Sequence, residues 1–569
     1  MMKKYNLVNN ALGWLCFVIA AATYLLTIEP TASFWDCPEF IAQGTKLEVG
    51  HPPGNPIFML TARFFVTIFG GSYTSAAVAV NSMSALLSAA TILLLFWTIT
   101  HLVRKIVVRD DAESISLPKM MVIMGAGLCG ALAYTWSDTF WFSAVEGEVY
   151  GFSSFCTALV FWLILKWENR ADEPHSDRYL VLIAYVIGVS IAVHLLNLLC
   201  IPAIVLVFYY RKFKNVNAKG SLIALGISFV LVAAILYGLV PGYIKVAQFF
   251  ELFFVNSVGM SYNSGVLIYG VLVVAVFVWS IYMLYNSRNA ALIKASVAAV
   301  IILSGLPFVT DSGLVWFLLV AALLVYLYGF CKVLPQRVFN VVVMSIFVIF
   351  IGYSSYALLL IRASANTPMN QNAPDNVFAL SSYLNREQYG QRPLFYGPVF
   401  AETLDAYRDE YGRIQAVKVD KTGMPVTKPL SMSEAIYYER DDRGQLTVAD
   451  HGKAGYAKVA KSAPNQTDKY VDALWTPDYQ YSPSLNTIFT RIYSMDPSHV
   501  EGYKGWSGYV NEDLENLRMV PAEKRKQWAD QGYAQYFEVS PYLKNLVGID
   551  LYEGCSPAER LDVWKPSFA

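Results

Sequence analysis

The sequence predicts an α-helical polytopic membrane protein of about eleven transmembrane helices, followed by a C-terminal soluble domain of mixed α/β character. Three observations predict it. The 569 residues are 55% hydrophobic and only 15% charged, with a mean hydropathy of +0.40, which excludes an ordinary soluble globule. Apolar runs of spanning length recur up to residue 361 and then stop. Lysines and arginines gather in alternate loops, as orientation by the positive-inside rule requires. The net charge is zero and no long basic run occurs, so neither nucleic acid nor a strongly anionic surface is implied as a partner. Five cysteines (Cys16, Cys129, Cys156, Cys200, Cys331) lie in or beside apolar runs, Cys37 stands alone and Cys555 is remote, so the spacing gives neither a disulfide framework nor a zinc site.

The first apolar run, 11–28, follows a Met-Met-Lys-Lys start. It has the outline of a secretory signal, but "TIEPTASFW" lacks a small-x-small cleavage site, so a retained span is expected. The remaining runs fall at 76–103, 119–136, 150–166, 179–194, 195–210, 221–241, 264–286, 290–308, 314–334 and 338–361. A further stretch, "NPIFMLTARFFVTIFGG" (55–71), is short, contains Arg63 and follows a proline-rich turn. It is expected to lie along the membrane surface as a juxtamembrane helix. With that choice and a cytoplasmic N-terminus, seventeen Lys and Arg fall in cytoplasmic segments, and the short outer loops hold only Lys46, Arg63 and Lys245. Letting 55–71 span would put the Arg104 to Lys119 loop outside and spoil the asymmetry. The same logic divides 179–210 into two short helices, although one tilted helix also fits its length.

This topology gathers polar groups at the outer face. The first outer loop, 29–75, contains "FWDCPEFIAQGTKLEVGHPPGNP" (34–56), the second contains "SDTFWFSAVEGEVYG" (137–151), and His194 and Asn197 sit at an outer turn. Residues 362–569, rich in Tyr, Asp, Lys and Pro, form the extracytoplasmic domain.

Asp36 is a functional candidate because an ionised carboxylate beside apolar surface is costly to keep. It equally suits an N-cap, since Pro38 and Glu39 follow in the first turn. The two roles are compatible, because a capping geometry also fixes a carboxylate. In "HPPGNP", Pro52 and Pro53 stiffen the turn and Gly54 permits a close backbone approach. A rigid carboxylate above a surface helix suits proton abstraction from a hydroxyl acceptor, with a lipid-borne donor entering from the side.

An acid in the first outer loop, a second acid nearby and a His-Pro-Pro-Gly turn resemble the GT-C glycosyltransferases. "FWDCPEF", "GHPPGNP", "VEGEVY", "HLLNLLCIPA" and "YLNREQYG" together resemble the transmembrane-protein-260-like protein O-mannosyltransferases, over residues 10–400. As a bacterial member, the chain would sit in the inner (cytoplasmic) membrane with its active site and C-terminal domain on the periplasmic side. The resemblance implies a GT-C type fold, a polyprenyl-phosphate-mannose donor, a Ser or Thr acceptor on an exported protein and inversion at the sugar carbon. It assigns Asp36 as general base and Glu39 as its support, and gives the acceptor or sugar pocket to His51, Pro52 and Pro53. It leaves open whether a chain ending in "VWKPSFA" is a short member or part of a longer one.

Each supporting residue has a plainer alternative. Glu39 suits a helix start, and His51 suits a hydrogen bond within its loop. Glu146, Glu148 and Tyr150 follow the cluster of Trp136, Phe140, Trp141 and Phe142, which reads as a sugar-holding wall or as an interfacial aromatic belt. His194 and Asn197 reach the donor or satisfy a helix contact. For the donor phosphate the outer cations are Arg63, Lys46, Lys245 and Arg386, with arginine favoured for bidentate binding and Arg63 equally suited to snorkelling. The six histidines are scattered without metal-ligand spacing, so no metal or other cofactor is expected. "MDPSHVEGYKGWSGY" (495–509) is a candidate acceptor-recognition loop. Three alternatives compete. A GT-C enzyme moving another sugar or modifying a lipid or glycan fits the same residues. A transporter fits less well, because the charges cluster in outer loops rather than at midplane and no inverted repeat is evident. A sensor would not need the acid-plus-HPPG loop.

Overall fold

The computed structural model describes residues 2–108, 115–332 and 335–389, and beyond them only the segments 396–398, 406–408, 414–416, 438–440, 446–448, 452–459, 467–477 and 486–488. Two compact units result. The first comprises residues Met1–Tyr389 with Lys458–Tyr470, and the second comprises Gly390–Ala457 with Val471–Ala569.

The first unit is helical. Helix α1 (Met2–Leu26) leads into a loop carrying two short helices, α2 (Cys37–Lys46) and α3 (Pro56–Ile68), each opened by a proline in its first turn. There follow α4 (Ala76–Val107), α5 (Leu117–Thr135), the short α6 (Asp138–Ala144) and α7 (Val149–Arg170). Next come α8 (Arg178–Ile191), α9 (Ile201–Lys212) after a 3-10 turn at Leu195–Cys200, α10 (Ala218–Ala233) and α11 (Val240–Leu252). Then come α12 (Ser264–Asn286), α13 (Ala290–Leu303), α14 (Gly313–Val325), α15 (Gln336–Tyr353), α16 (Ala357–Ser364) and α17 (Val377–Leu384). Helix α4 is the hub of the N-terminal half and packs on α1, α5 and α7. Cys16, Ala20, Tyr24, Ala85, Ala89, Phe96 and Ala131 form its buried core. Helices α8 and α15 cross where Gly188 and Gly352 meet backbone to backbone, and a Cβ on Gly352 would lie 2.3 Å from the Gly188 carbonyl carbon. Small residues permit such approach between apolar helices, where dispersion and close fit replace the hydrophobic drive.

All eleven expected apolar segments are helical, but only nine helices among the described residues are long and apolar enough to cross a membrane. Arg178–Ile191 and Ala290–Leu303 have 14 residues each, a rise of about 21 Å against a hydrocarbon core of about 30 Å. The first is cut short at Ala192, after which His194 Nδ1 accepts the Leu196 N–H and starts a new turn. The second ends at Leu303, before Gly305 lies against the Gly242 backbone. The division of 179–210 into two helices therefore matches the structure. The expected span 221–241 is instead part of one helical run, Ala218–Ser257, of 40 residues, carried through two π turns at Ala234–Leu239 and Phe253–Ser257.

The expected domain limit at 361 also moves. Residues 362–389 belong to the first unit because they are bonded to the first loop. The Arg362 guanidinium donates to the carbonyls of Leu47 (2.6 Å) and Lys46 (3.1 Å). Val49 N–H donates to the Met369 carbonyl and Gln371 N–H to the Val49 carbonyl. The Tyr383 hydroxyl donates to the carbonyls of Gly50 (2.6 Å) and His51 (3.1 Å). Residues 458–470 join the same unit: Lys458 pairs with Asp375 at 2.8 Å, and Tyr470 exchanges both backbone groups with the Asn256 amide. In the second unit, short antiparallel pairs link Tyr396–Pro398 with Asn486–Ile488, Ala406–Arg408 with Ile414–Ala416, and Tyr438–Arg440 with Leu446–Val448. The loop expected at 495–509 lies outside the described residues.

Tyr383 is fully buried, and removing its hydroxyl takes away the donor to the Gly50 carbonyl and one of two donors to the His51 carbonyl, the other being the Gly54 N–H. Tyr383→Phe should destabilise the protein by about 1–3 kcal/mol, read as an earlier midpoint in thermal unfolding of the detergent-solubilised chain.

Candidate active site

The site is built on α2 and the turn that follows it. Asp36 occupies the N-cap position of α2, but its side chain makes no capping hydrogen bond. The carboxylate is 58% exposed. Trp35, just before it, takes a left-handed φ of 62° and is 86% exposed, a costly pair of features for a bulky residue. One turn into α2, Glu39 Oε1 accepts from the His51 backbone N–H (2.5 Å), from Gln43 Nε2 (2.9 Å) and, in the tautomer protonated there, from His51 Nδ1 (2.9 Å). That leaves His51 Nε2 facing Asp36 Oδ2 at 3.8 Å.

Two glycines make this approach possible. A Cβ on Gly50 would lie 1.4 Å from Gln43 Nε2 and 2.3 Å from Glu39 Oε1. Gly54 has a φ of 72°, and its Cβ would meet the Tyr383 hydroxyl at 2.8 Å. Pro52 and Pro53 form the turn between them, and their peptide bond is cis.

The electrostatics follow from the contacts. The hydrogen bond to Glu39 holds the His51 pKa above its ordinary value, against burial. Burial alone would raise Glu39, but the His51 hydrogen bonds and charge outweigh it and hold the carboxyl below the usual range. The contact therefore favours the charged form of both partners. Glu148, 6% exposed, is the N-cap of α7 and accepts the Val149 N–H through its own side chain. Burial pushes it up to about 7; the Val149 bond opposes the rise, Asp36 and Glu146 add to it, and His51 opposes it. Burial also raises Glu146, a Ser33 hydrogen bond opposing, and its Oε2 has no hydrogen-bond partner. Burial lowers His194, and the Arg386 charge adds to that. The Tyr150 and His194 rings lie 5.6 Å apart, and Arg386 also acts on His51. Asn197 is 1% exposed with both amide atoms unpartnered.

Contacts thus join Asp36, His51 and Glu39 and, separately, Tyr150 and His194, while Glu146, Glu148 and Arg386 act on these groups through their charge. It does not add Arg63 or Lys245. Arg63 donates to the Thr45 carbonyl, closing the C-terminal end of α2. Lys245 is held by Asp311 (2.7 Å) and the Thr310 carbonyl (2.9 Å). Lys46 lies over the Tyr73 ring at 5.6 Å. Glu48 is buried with Oε1 unpartnered, and nothing in the structure gives it a role. Gln43, Gly50, Arg362 and Tyr383 escaped sequence reasoning; only the glycine, immediately before HPPG, carries a local signal. The fold brings together groups that the linear spacing keeps apart. Asp36, Glu39 and His51 each offer one ligand atom, all within 4.8 Å of one another. Glu39 Oε1 already serves three donors, so Asp36 and the outer nitrogen of His51 are the atoms best placed to hold a cation.

Two parts of the chain are similar to known families. Residues 36–217 match the protein O-mannosyl-transferase TMEM260 N-terminal domain, and residues 431–569 match a family of unknown function, DUF8416. The chain is 24% identical over 207 residues to the protein O-mannosyl-transferase TMEM260 of Mus musculus, covering 36% of this chain and 27% of that protein. It is 25% identical over 202 residues to the tmem260 protein of Dictyostelium discoideum, covering 34% of this chain and 22% of that one. The match thus spans about a quarter of these relatives' length. Among solved structures, an Archaeoglobus fulgidus oligosaccharyltransferase, crystallised with Zn and sulfate, aligns at a TM-score of 0.27 and 14% identity, over 66% of this chain and 53% of that chain.

Glu148 generates a stability prediction. Its folded pKa lies above its ordinary value of 4.5, so the fold favours the protonated form. Its contribution is most favourable below pH 4.5 and is lost as pH rises through about 7. Glu148→Gln should therefore flatten the fall in thermal midpoint between pH 5 and pH 8, measured in detergent. The segment carrying Asp36, Glu39, His51, Glu146 and Glu148 is the one that matches the TMEM260 N-terminal domain.

Proposed function

We propose that the chain is a membrane glycosyltransferase of GT-C type. In this reading it transfers mannose from a polyprenyl-phosphate carrier to Ser or Thr hydroxyls of exported proteins, at the extracytoplasmic face of a bacterial cytoplasmic membrane. The observation that carries it is an exposed Asp36, free of its capping bond, beside an imidazole locked by Glu39, within a segment related to proteins named O-mannosyl-transferases. The excess of basic residues in alternate loops supports the orientation.

Asp36 acts as general base. The acceptor oxygen bonds to the anomeric carbon while its proton passes to Asp36. The bond from that carbon to the phosphate oxygen breaks, and its electron pair leaves on the polyprenyl phosphate, inverting the carbon. Glu39 supports the base indirectly, by fixing His51. The His51 imidazolium and Arg386 are the cations in reach of a departing phosphate. Glu146, Glu148, Tyr150, His194 and Asn197 offer the polar and aromatic groups a sugar needs, and Pro52 and Pro53 shape the pocket's rim. With these cations present and Glu39 already serving its donors, the reaction requires no metal. Another sugar, or a lipid or glycan acceptor, would use the same groups.

The test uses membranes bearing the protein, labelled polyprenyl-phosphate-mannose and a Ser/Thr peptide. Asp36→Asn keeps shape and removes the base, and should slow transfer by about 100-fold or more. Equal transfer by both proteins would remove Asp36 from the chemistry. Chelation with EDTA should leave the wild-type rate unchanged.

A further inference from the structure

The other end of the N-terminal bundle holds a second polar site. Helix α4 begins beside the first loop, where the Asn81 amide donates to the carbonyls of Glu29 (2.7 Å) and Thr31 (3.1 Å). Between Asn81 and Arg104 the helix rises about 35 Å. There α1, α4 and α7 enclose a cavity of about 230 Å³.

Its lining differs from the walls of a simple helix contact. Arg104, Lys166 and His101 all reach it. The Arg104 guanidinium lies 5.5 Å over the Tyr5 ring and the Lys166 ammonium 4.7 Å over the Trp162 ring. Among the described residues neither cation is paired with a carboxylate. Glu168, 3.7 Å from His101 Nε2, is already bonded to Lys105. The cavity therefore carries surplus positive charge held on aromatic faces, where it remains available to an anion. Asn9 and Trp97 also line it; Trp97 Nε1 lies against Gly13, whereas Asn9 Oδ1 is buried without a hydrogen-bond partner. A buried polar atom left unmatched is costly, and this one shares its space with the two cations.

The same ends of α1 and α4 leave Leu7 (71%), Leu102 (41%) and Ile106 (75%) exposed. An occupant with a polar head and an apolar tail matches both features. We propose that this cavity binds the phosphate-ester headgroup of an anionic lipid, with Arg104 and Lys166 holding the phosphate and the Asn9 side chain meeting a headgroup hydroxyl. The site is independent of the Asp36 network and of the proposed transfer reaction.

The full chain would be reconstituted in phosphatidylcholine nanodiscs with and without added phosphatidylglycerol, and its thermal midpoint and retained lipid measured, the latter by native mass spectrometry. Phosphatidylglycerol should raise the midpoint and remain bound. Arg104→Gln with Lys166→Gln should lose both effects while keeping the midpoint in phosphatidylcholine alone. Should that double variant fail to fold, Asn9→Met, which fills the cavity without touching the cations, should likewise lose bound lipid. Retention by the folded variants would overturn the proposal. So would an equal shift from oleate, an anionic lipid lacking phosphate, or from glycerol 3-phosphate added to phosphatidylcholine nanodiscs.

Discussion

Three donors converge on one oxygen of Glu39, and the geometry of the first loop follows from that convergence. The carboxylate sits one turn into α2 and captures both the backbone N–H and the ring of His51, twelve residues on, while Gln43 completes the set. Hydrogen bonds to a charged group each contribute about 1.5–3 kcal/mol, so together they fix the return of the chain against α2. The imidazole is thereby committed through Nδ1, and Nε2 turns toward Asp36. An aspartate that resembles a helix cap in sequence thus has an imidazole as its neighbour. Gly50 is the steric condition, since any side chain there would occupy the space of the Gln43 amide.

A second layer holds this arrangement from a distance in sequence. Arg362, Met369, Gln371 and Tyr383 bond to the backbone of residues 46–51, so the segment after the last long helix forms part of the loop's support. Arg386, just past α17, adds a charge that helps to lower His194 and only partly offsets the rise that Glu39 gives His51. Helix α17 is in turn fastened by Phe378, whose ring lies 4.9 Å from that of Tyr470, and Tyr470 bonds to the buried Glu251. Lys458 and Tyr470 are therefore bonded into the membrane unit.

Much of this was legible in the amino-acid sequence, for identifiable reasons. Apolar periodicity located the helices, and the acid-plus-HPPG pattern located Asp36, Glu39 and His51 because local spacing and turn chemistry report directly on a loop. Glu146 and Glu148 were visible as acids beside an aromatic cluster. Hydropathy overstated two spans because it measures composition and not where the backbone turns, as at Ala192 and Gly305. The cations Arg63 and Lys245 were equally plausible in sequence, and only three-dimensional pairing showed them committed to Thr45 and Asp311. Tyr383 and Arg362 were illegible, since their partners lie more than 300 residues away and are backbone carbonyls, which carry no sequence signal.

The account turns on a single displacement in which Asp36 takes the acceptor proton. The most direct measurement is the anomeric configuration of the transferred sugar, read by NMR from the one-bond carbon–proton coupling in product and donor. Inversion is the predicted result. Retention of configuration would require a covalent or front-face route and would contradict the assignment of Asp36 as the base.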